Sequence, residues 1–460
     1  MIQRWWRPFV EGEERPRLGA EILGGTTTFV TMAYIVVVNP AILAFAGIPS
    51  GPSTVATILA AACGTLLMAF WARRPYAVAP YMGENAFLAF GLAALGITWQ
   101  QRLGAVFVAG ALFLLLTLAG VRTWLARSIS PSLQHGFAVA IGLFLAEVGL
   151  FQCGIATSFV VGMPAAALTG GDGQTLLAPD VPVKLGDWSQ PATLLALAGI
   201  LVTLFLVLRG VRGAILLGMV PGAVAGFALG LAPKASAWVA MPFVGDLSLA
   251  PIFFELDIAG ILRPEHLAVL GTLALMGFLD TLGTLVALGA AAGQLDDDGR
   301  LPGIEKPMAV DAVASMASAL FGTSTSGAYI ESATGIRAGA RTGVASLVTA
   351  LWFAGALFLV PLARVLQAMP FVYAPSLVVV GALMLRSAKG VAFDDLAETV
   401  PALATIALTL FTFNIANGLA AGLVLAPLAR VASGRARETS AGGWLLAAAC
   451  LAYFVFGLRH

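Results

Sequence analysis

Apolar runs long enough to cross a membrane recur along the whole chain, separated by short polar breaks. A crossing takes about 20 mostly apolar residues. On that measure the pattern predicts spans near 20–40, 53–72, 76–94, 101–121, 133–151, 191–208 and 213–231. A second set lies near 267–290, 307–322, 325–340, 342–362, 373–388, 398–413 and 414–432, which makes fourteen. Some are too short or too polar to be plain helices. A last apolar stretch, Trp444 to Leu458, reads either as an extra crossing or as an interfacial helix.

The sharpest polar interruption is Phe321 to Arg341, FGTSTSGAYIESATGIRAGAR, with four glycines, six serines and threonines, and the carboxylate Glu331. Inside a membrane, open backbone survives only where protein or a water-filled cavity satisfies its N–H and C=O groups. An ionisable residue at that depth points to function, whereas the bland alternative is an exposed loop glutamate. A second interruption matches it. The third span, Tyr76 to Phe87, carries Tyr81, Glu84 and Asn85 in a Gly/Pro-broken segment, as the tenth carries Tyr329, Glu331 and Ser332. Pro131-Ser132-Leu133 and Pro375-Ser376-Leu377 open the fifth and twelfth spans alike. Seven spans is an odd number, so the second copy enters from the opposite face. Broken segments at matching positions of inverted halves point to a transport site near the midplane.

The eighth span sets Asp280 in mid-membrane. At helical spacing Met276, Gly277, Asp280, Gly283, Thr284 and Ala287 share a small, polar face, with Leu279, Leu282 and Leu285 directed elsewhere. Such small residues permit close approach of a neighbouring helix. Asp280 then either hydrogen-bonds a helix end or faces a ligand or a proton. Asn85 offers donors and an acceptor and follows Gly83, where a half-helix can start; capping that helix is its other reading. Glu84 either pairs with an arginine or faces a gap between domains. The run Asp296-Asp297-Asp298 reads as a solvated turn.

Composition agrees with the pattern. With 59% hydrophobic and 11% charged residues, against about 25% charge in soluble domains, the chain is an all-α polytopic membrane protein. A net charge of +1 without basic runs gives no sign of nucleic-acid binding. Cys63, Cys153 and Cys450 read as small core residues. His135, His266 and His460 form no metal pattern, and no cofactor is expected. Met1 to Leu18, with Trp5 and Trp6, reads as a cytoplasmic lead-in lying at the interface. Arginine placement sets the orientation. Arg4, Arg7, Arg15 and Arg17 precede the first span, and Arg73, Arg74, Arg122, Arg127, Arg209, Arg212, Arg337, Arg341, Arg386, Lys389, Arg430, Arg435 and Arg437 follow even-numbered spans. Arg102 and Arg364 are exceptions. The N-terminus is then on the cytoplasmic side of the cell membrane, and the loops 152–190 and 232–266 are outside.

Several motifs resemble those of the nucleobase:cation symporter-2 family, in its purine-permease (azaguanine-resistance) branch. They are Gly24-Gly25-Thr26-Thr27-Thr28 through Ile35 with Asn39-Pro40, Ala79 to Phe87, Asp280-Thr281-Leu282-Gly283-Thr284, Gly322 to Thr325, Tyr329 to Gly335, Gly339 to Gly343, and Phe411 to Gly418. They run in the family's order over nearly the whole chain. The resemblance implies a 7+7 inverted repeat of the uracil-permease kind, with short strands in segments 3 and 10. It divides the chain into a core domain (19–127 and 267–363, spans 1–4 and 8–11) and a gate domain (128–231 and 364–432, spans 5–7 and 12–14). The remainder is a lead-in at 1–18, an outside loop at 232–266 and a C-terminal apolar segment at 433–460. It further implies a homodimer and proton-driven uptake of a purine nucleobase. The family's substrate contacts fall on Asp280, Thr284, Glu331 with its neighbours Ile330 and Ser332, and Asn85 with Ala86. Proton coupling falls on Asp280 and Glu331, with Glu84 next. Tyr81 and Glu84 depart from the branch, which usually has a glycine and an apolar residue there; that bears on which base is preferred. A uracil or xanthine carrier of the same fold is the near alternative, and an anion transporter sharing the architecture a more distant one.

Overall fold

The computed structural model describes residues 6–10, 16–92, 95–120, 128–161, 183–234, 237–296, 301–452 and 454–455. Arg4, Trp5, Arg15, Arg122, Arg127, Asp297, Asp298 and His460 lie outside them. Among the described residues nine helices are long and apolar enough to cross a membrane. The chain is thus an all-α multi-span membrane protein with short strands added.

The first crossing is two helices, α1 (Leu18–Met32) and α2 (Ile35–Ala44), followed by α3 (Ser50–Leu67). Where the third span was expected stand β1 (Val78–Pro80) and the short α4 (Met82–Ala86), continued by a wider turn to Gly91. Helices α5 (Trp99–Leu118), α6 (Pro131–Gln152), α7 (Pro191–Leu208) and α8 (Ala214–Ala228) come next. Between α6 and α7 sits an antiparallel pair, β2 (Ala156–Ser158) with β3 (Val183–Leu185), which the sequence pattern did not suggest. The second half brings α9 (Leu267–Ala292), α10 (Glu305–Phe321), β4 (Ser326–Ala328), α11 (Ser332–Arg337), α12 (Gly343–Ala356) and α13 (Val360–Gln367). It ends with α14 (Pro370–Met384), α15 (Leu396–Phe411), α16 (Ile415–Ala432) and α17 (Ala441–Ala452). α17 packs on α16, and Tyr453 and 456–460 beyond it lie outside the described residues.

The breaks have local causes. Pro40 in α2 has no N–H to give the carbonyl one turn back, Val36; Gln367 Nε2 on α13 donates to that oxygen at 3.2 Å. Glycines 24 and 25 in α1 lie directly against Ala340, Gly335 and Ala345, leaving no room for a Cβ. The buried Glu21 accepts from the Arg341 and Thr342 amides at 3.2 and 3.4 Å, placing a carboxylate at the positive start of α12.

β1 and β4 pair antiparallel, Val78 opposite Ala328, Ala79 opposite Gly327 and Pro80 opposite Ser326. The ladder is extended by Tyr329 N to Ala77 O and Tyr81 N to Thr325 O, both 2.9 Å. A two-stranded ribbon leaves two edges of backbone unpaired, a state that apolar surroundings forbid. Here hydroxyls close them. Thr65 Oγ1 on α3 donates to Val78 O at 3.0 Å and accepts from Val78 N at 2.9 Å. On the other edge Ser315 Oγ on α10 donates to Ser326 O at 2.7 Å and accepts from Ser326 N at 3.0 Å. Asp311 Oδ2 accepts from Ala328 N at 3.0 Å. Thr65→Val, close in shape, strands a buried N–H and a buried C=O. It is expected to cost about 2 kcal/mol or more, read as a lower thermal-unfolding midpoint in detergent.

The helices pack in two groups. α1, α2, α3, α5, α9, α10, α11 and α12 pack on one another and on the ribbon, while α6, α7, α8, α14, α15 and α16 form the other set. α4 and α9 meet the second group at α6 and α16. The segment 237–266 folds over one end of the first group, with Phe254 N donating to Leu320 O and Asp257 N to Gln100 O.

Candidate functional site

A cavity of about 1110 Å³ lies between the two groups. The first group lines it with Thr31 and Tyr34 at the α1–α2 break, Tyr81 to Gly83, the middle of α9, and Ala328 to Glu331 with Ala333 and Thr334. The second contributes mostly apolar surface from α6, α8, α14 and α16, together with Thr405 and Thr409. Towards one end it is bordered by Arg212, Arg337 and Arg386. Small-ligand pockets run to about 1,000 Å³, so a site and an aqueous approach fit within it.

The two half-helices are fixed at their far ends by arginines. Buried Arg102 on α5 donates from Nη1 to Leu88 O at 2.8 Å and from Nε to Ile97 O at 2.9 Å. Arg341 Nη1 donates to Ile336 O and Ala340 O, each at 2.8 Å. Arg102 serves a carbonyl near a helix end, where intrahelical partners run out, and Arg341 shares Ile336 O with the Gly339 amide. Arg102, an exception to the orientation rule, thus has a structural post.

Glu331 occupies the N-cap position of α11 and lines the cavity. Its Oε1 accepts from Tyr34 Oη at 2.9 Å, and Thr334 Oγ1 donates to its carbonyl at 2.7 Å. Ile330 beside it is 50% exposed, on the cavity. Asp280 lies near the middle of α9 and lines the cavity with Gly283, Thr284 and Ala287. Leu279 lines it too, against expectation. The small residues do not admit a neighbouring helix: a Cβ on Gly277 or Gly283 would meet nothing within 4 Å. They leave open space beside the carboxylate.

Other expected positions lie elsewhere. α4 starts at Met82 with Tyr81 as its N-cap, so Asn85 is a turn inside the helix and does not cap it. Its Nδ2 donates to Asn39 Oδ1 at 2.7 Å, behind the site, where Asn39 also donates to Thr57 and Thr323 at 2.8 and 2.9 Å. Asn85, Ala86 and Ser332 are fully buried and absent from the cavity wall; Ser332 Oγ accepts from Ala77 N at 2.9 Å. Among the described residues no arginine pairs with Glu84, and it is not on the cavity wall between the groups. It is fully buried against Asp280.

Three side chains were given no role from the sequence. Tyr34 sits at the α1–α2 break. Tyr81, marked only as a departure, stacks on Tyr329 with centroids 6.3 Å apart and planes 9° apart, and its hydroxyl lies over Gly327, contacting Thr281 Oγ1 at 3.0 Å and Asp311 Oδ2 at 3.4 Å. Asp311 shares a helix face with Ser315 and Ser318, a spacing of four and seven residues that was there to be read.

The sequence profile of the Permease family (Xan_ur_permease) matches residues 19–421. The chain is 42% identical to the Putative permease MJ0326 of Methanocaldococcus jannaschii, covering 97% of this chain and 96% of that protein. It is 35% identical to the Guanine/hypoxanthine permease PbuO of Bacillus subtilis, over 93% and 94%. With the Adenine permease AdeQ of Escherichia coli it shares 34%, over 91% and 88%. Among solved structures, the transmembrane domain of the cyanobacterial bicarbonate transporter BicA superposes with a TM-score of 0.60 at 16% identity, covering 89% of this chain and 98% of that one. That likeness is one of fold. With a profile match from residue 19 to residue 421 and relatives above 30% identity over almost their full length, the chain belongs to the Permease family and is a membrane permease, not an enzyme.

Proposed function

We propose that the chain is a secondary active transporter that imports a purine nucleobase (adenine, guanine or hypoxanthine) by proton symport across the cell membrane. The observation that carries this reading is the pair Asp280 and Glu331 lining one cavity at a break in the helical backbone. A carboxylate accepts hydrogen bonds from ring N–H and exocyclic amine groups, and a protonated one donates to ring nitrogen or oxygen. Glu331 is the anchor for the edge of the base, with Thr284 and Ile330 beside it and Tyr81 and Tyr329 presenting aromatic surface. Asn85, Ala86 and Ser332 act from behind, by holding the half-helices. The names of the relatives PbuO and AdeQ, at 35% and 34% identity, support the purine assignment.

In this reading the two packing groups are a core and a gate domain related by a 7+7 inverted repeat. The antiparallel ribbon, closed by Thr65 on one edge and Ser315 on the other, is what such a repeat produces. Transport is an elevator-like movement of the core, with its site, against the gate in a homodimer whose N-termini are cytoplasmic. The cavity's arginine-bordered end is then its cytoplasmic mouth. A uracil or xanthine carrier keeps every element of this mechanism and differs in the base. Two carboxylates at the site disfavour an anion.

Competition of adenine, hypoxanthine, guanine, xanthine and uracil for radiolabelled purine uptake identifies the substrate, and effective competition by uracil alone overturns the purine assignment. In proteoliposomes a pH gradient is expected to drive accumulation without sodium. Uptake driven by sodium and indifferent to pH sinks proton coupling.

A further inference from the structure

Glu84 presents an arrangement that its helix does not require. Its side chain is fully buried, and neither carboxyl oxygen has an N–H or O–H partner. Buried polar atoms without partners are uncommon and costly. What lies against it is a second carboxyl group, Asp280 of α9. The other titratable groups around the pair are Tyr81, Tyr329 and Asp311. Tyr81 gives its hydroxyl contacts to Thr281 and Asp311, and the Tyr329 hydroxyl donates to Pro80 O. The neighbouring helices α2 and α6 bring Asn39, bonded to Asn85, and Ile141 beside Gly83. Among the described residues no lysine, arginine or histidine acts on either carboxyl.

We infer that Glu84 and Asp280 hold one proton between them, so that Glu84 is a positioning residue for the transport-site carboxyl. Two carboxylates in contact in an apolar site resist ionising together, so the first proton is held until water reaches the pair. One proton turns the contact into an O–H···O⁻ hydrogen bond, which gives the stranded Glu84 oxygens a partner. The pair then carries one negative charge. When the proton leaves, it passes to water in the cavity through Asp280, which lines the wall, and the pair goes from one negative charge to two. This inference takes Asp280 to be the carboxyl of the proposed site, but the pair exists whatever the cargo.

The test is an infrared pH titration of the carboxylic-acid C=O band in the intact, ligand-free protein in lipid vesicles, comparing wild type, Glu84→Gln and Asp280→Asn. If the proton is shared, the wild type shows a titrating band whose midpoint moves by about one pH unit or more in both variants, because each removes half of a coupled pair. A midpoint unchanged in Glu84→Gln assigns the proton to Asp280 alone and overturns the inference. One unchanged in Asp280→Asn, or a wild type with no band attributable to either residue, overturns it equally. If one variant is not recovered folded, the other decides by the same criterion. Because the measurement uses neither purine nor gradient, its failure leaves the purine assignment standing, and failure of purine uptake leaves this result standing.

Discussion

Glu331→Gln is expected to weaken purine binding by about 100-fold while leaving the protein folded. The carboxylate already receives the Tyr34 hydroxyl at Oε1, 2.9 Å away, and so is held in one orientation before a ligand arrives. Glutamine keeps the size, and its carbonyl can still take the Tyr34 proton. Its amide then turns N–H donors toward the cavity, where the N–H edge of a base requires an acceptor. Hydrogen bonds to charged groups contribute about 1.5–3 kcal/mol each, and a donor facing a donor removes that contribution altogether. Titration calorimetry of the purified variant reads the change. Binding equal to the parent's means that Glu331 has a structural part only, as partner of Tyr34, and the base is held elsewhere.

Asp280→Asn separates binding from coupling. Asp280 stands on a regular helix, with open space beside Gly277 and Gly283 and with the carboxyl of Glu84 as its neighbour. It is the better placed of the two cavity carboxyls to take up and release a proton. The asparagine variant is expected to keep measurable purine binding and counterflow. It loses accumulation against a gradient and the pH dependence of uptake. Paired counterflow and gradient-driven assays in proteoliposomes decide. Undiminished accumulation with an unchanged pH profile moves the proton to Glu331 or Glu84.

Much of this arrangement was legible in the chain because a membrane makes polar residues conspicuous. Glu331, Asp280 and the glycines around them stand out against apolar runs, and both broken segments were located from that contrast alone. Placing side chains around those breaks was harder. Asn85 was expected near the start of a half-helix, but Tyr81 is the N-cap and α4 begins at Met82, which turns Asn85 toward Asn39. One residue of phase changes a side chain's direction by about 100°, and no periodic signal survives in so short a helix. The pairing of β1 with β4 joins residues some 250 positions apart, and three-residue strands carry no alternation from which to read a register. Glu21 drew no notice, because nothing local announces that it meets the amides of Arg341 and Thr342. Asp311 was readable from its spacing to Ser315 and Ser318 but was overshadowed by the segment after it.

The closed edges of the ribbon bear on what has to be broken when the protein works. Thr65, Ser315 and Asp311, which satisfy the ribbon's outer backbone groups, all belong to helices of the ribbon's own packing group. Gln367, which serves the Val36 carbonyl, bonds Thr54 of that group as well. A displacement of this group as one body therefore carries the ribbon along with the partners that close its edges, while the bond that the Gly91 carbonyl accepts from Asn414, the N-cap of α16, crosses the seam. In the proposed elevator movement this group slides against α6, α14 and α16, whose cavity-facing surface is mostly apolar, so the motion exchanges one set of apolar contacts for another.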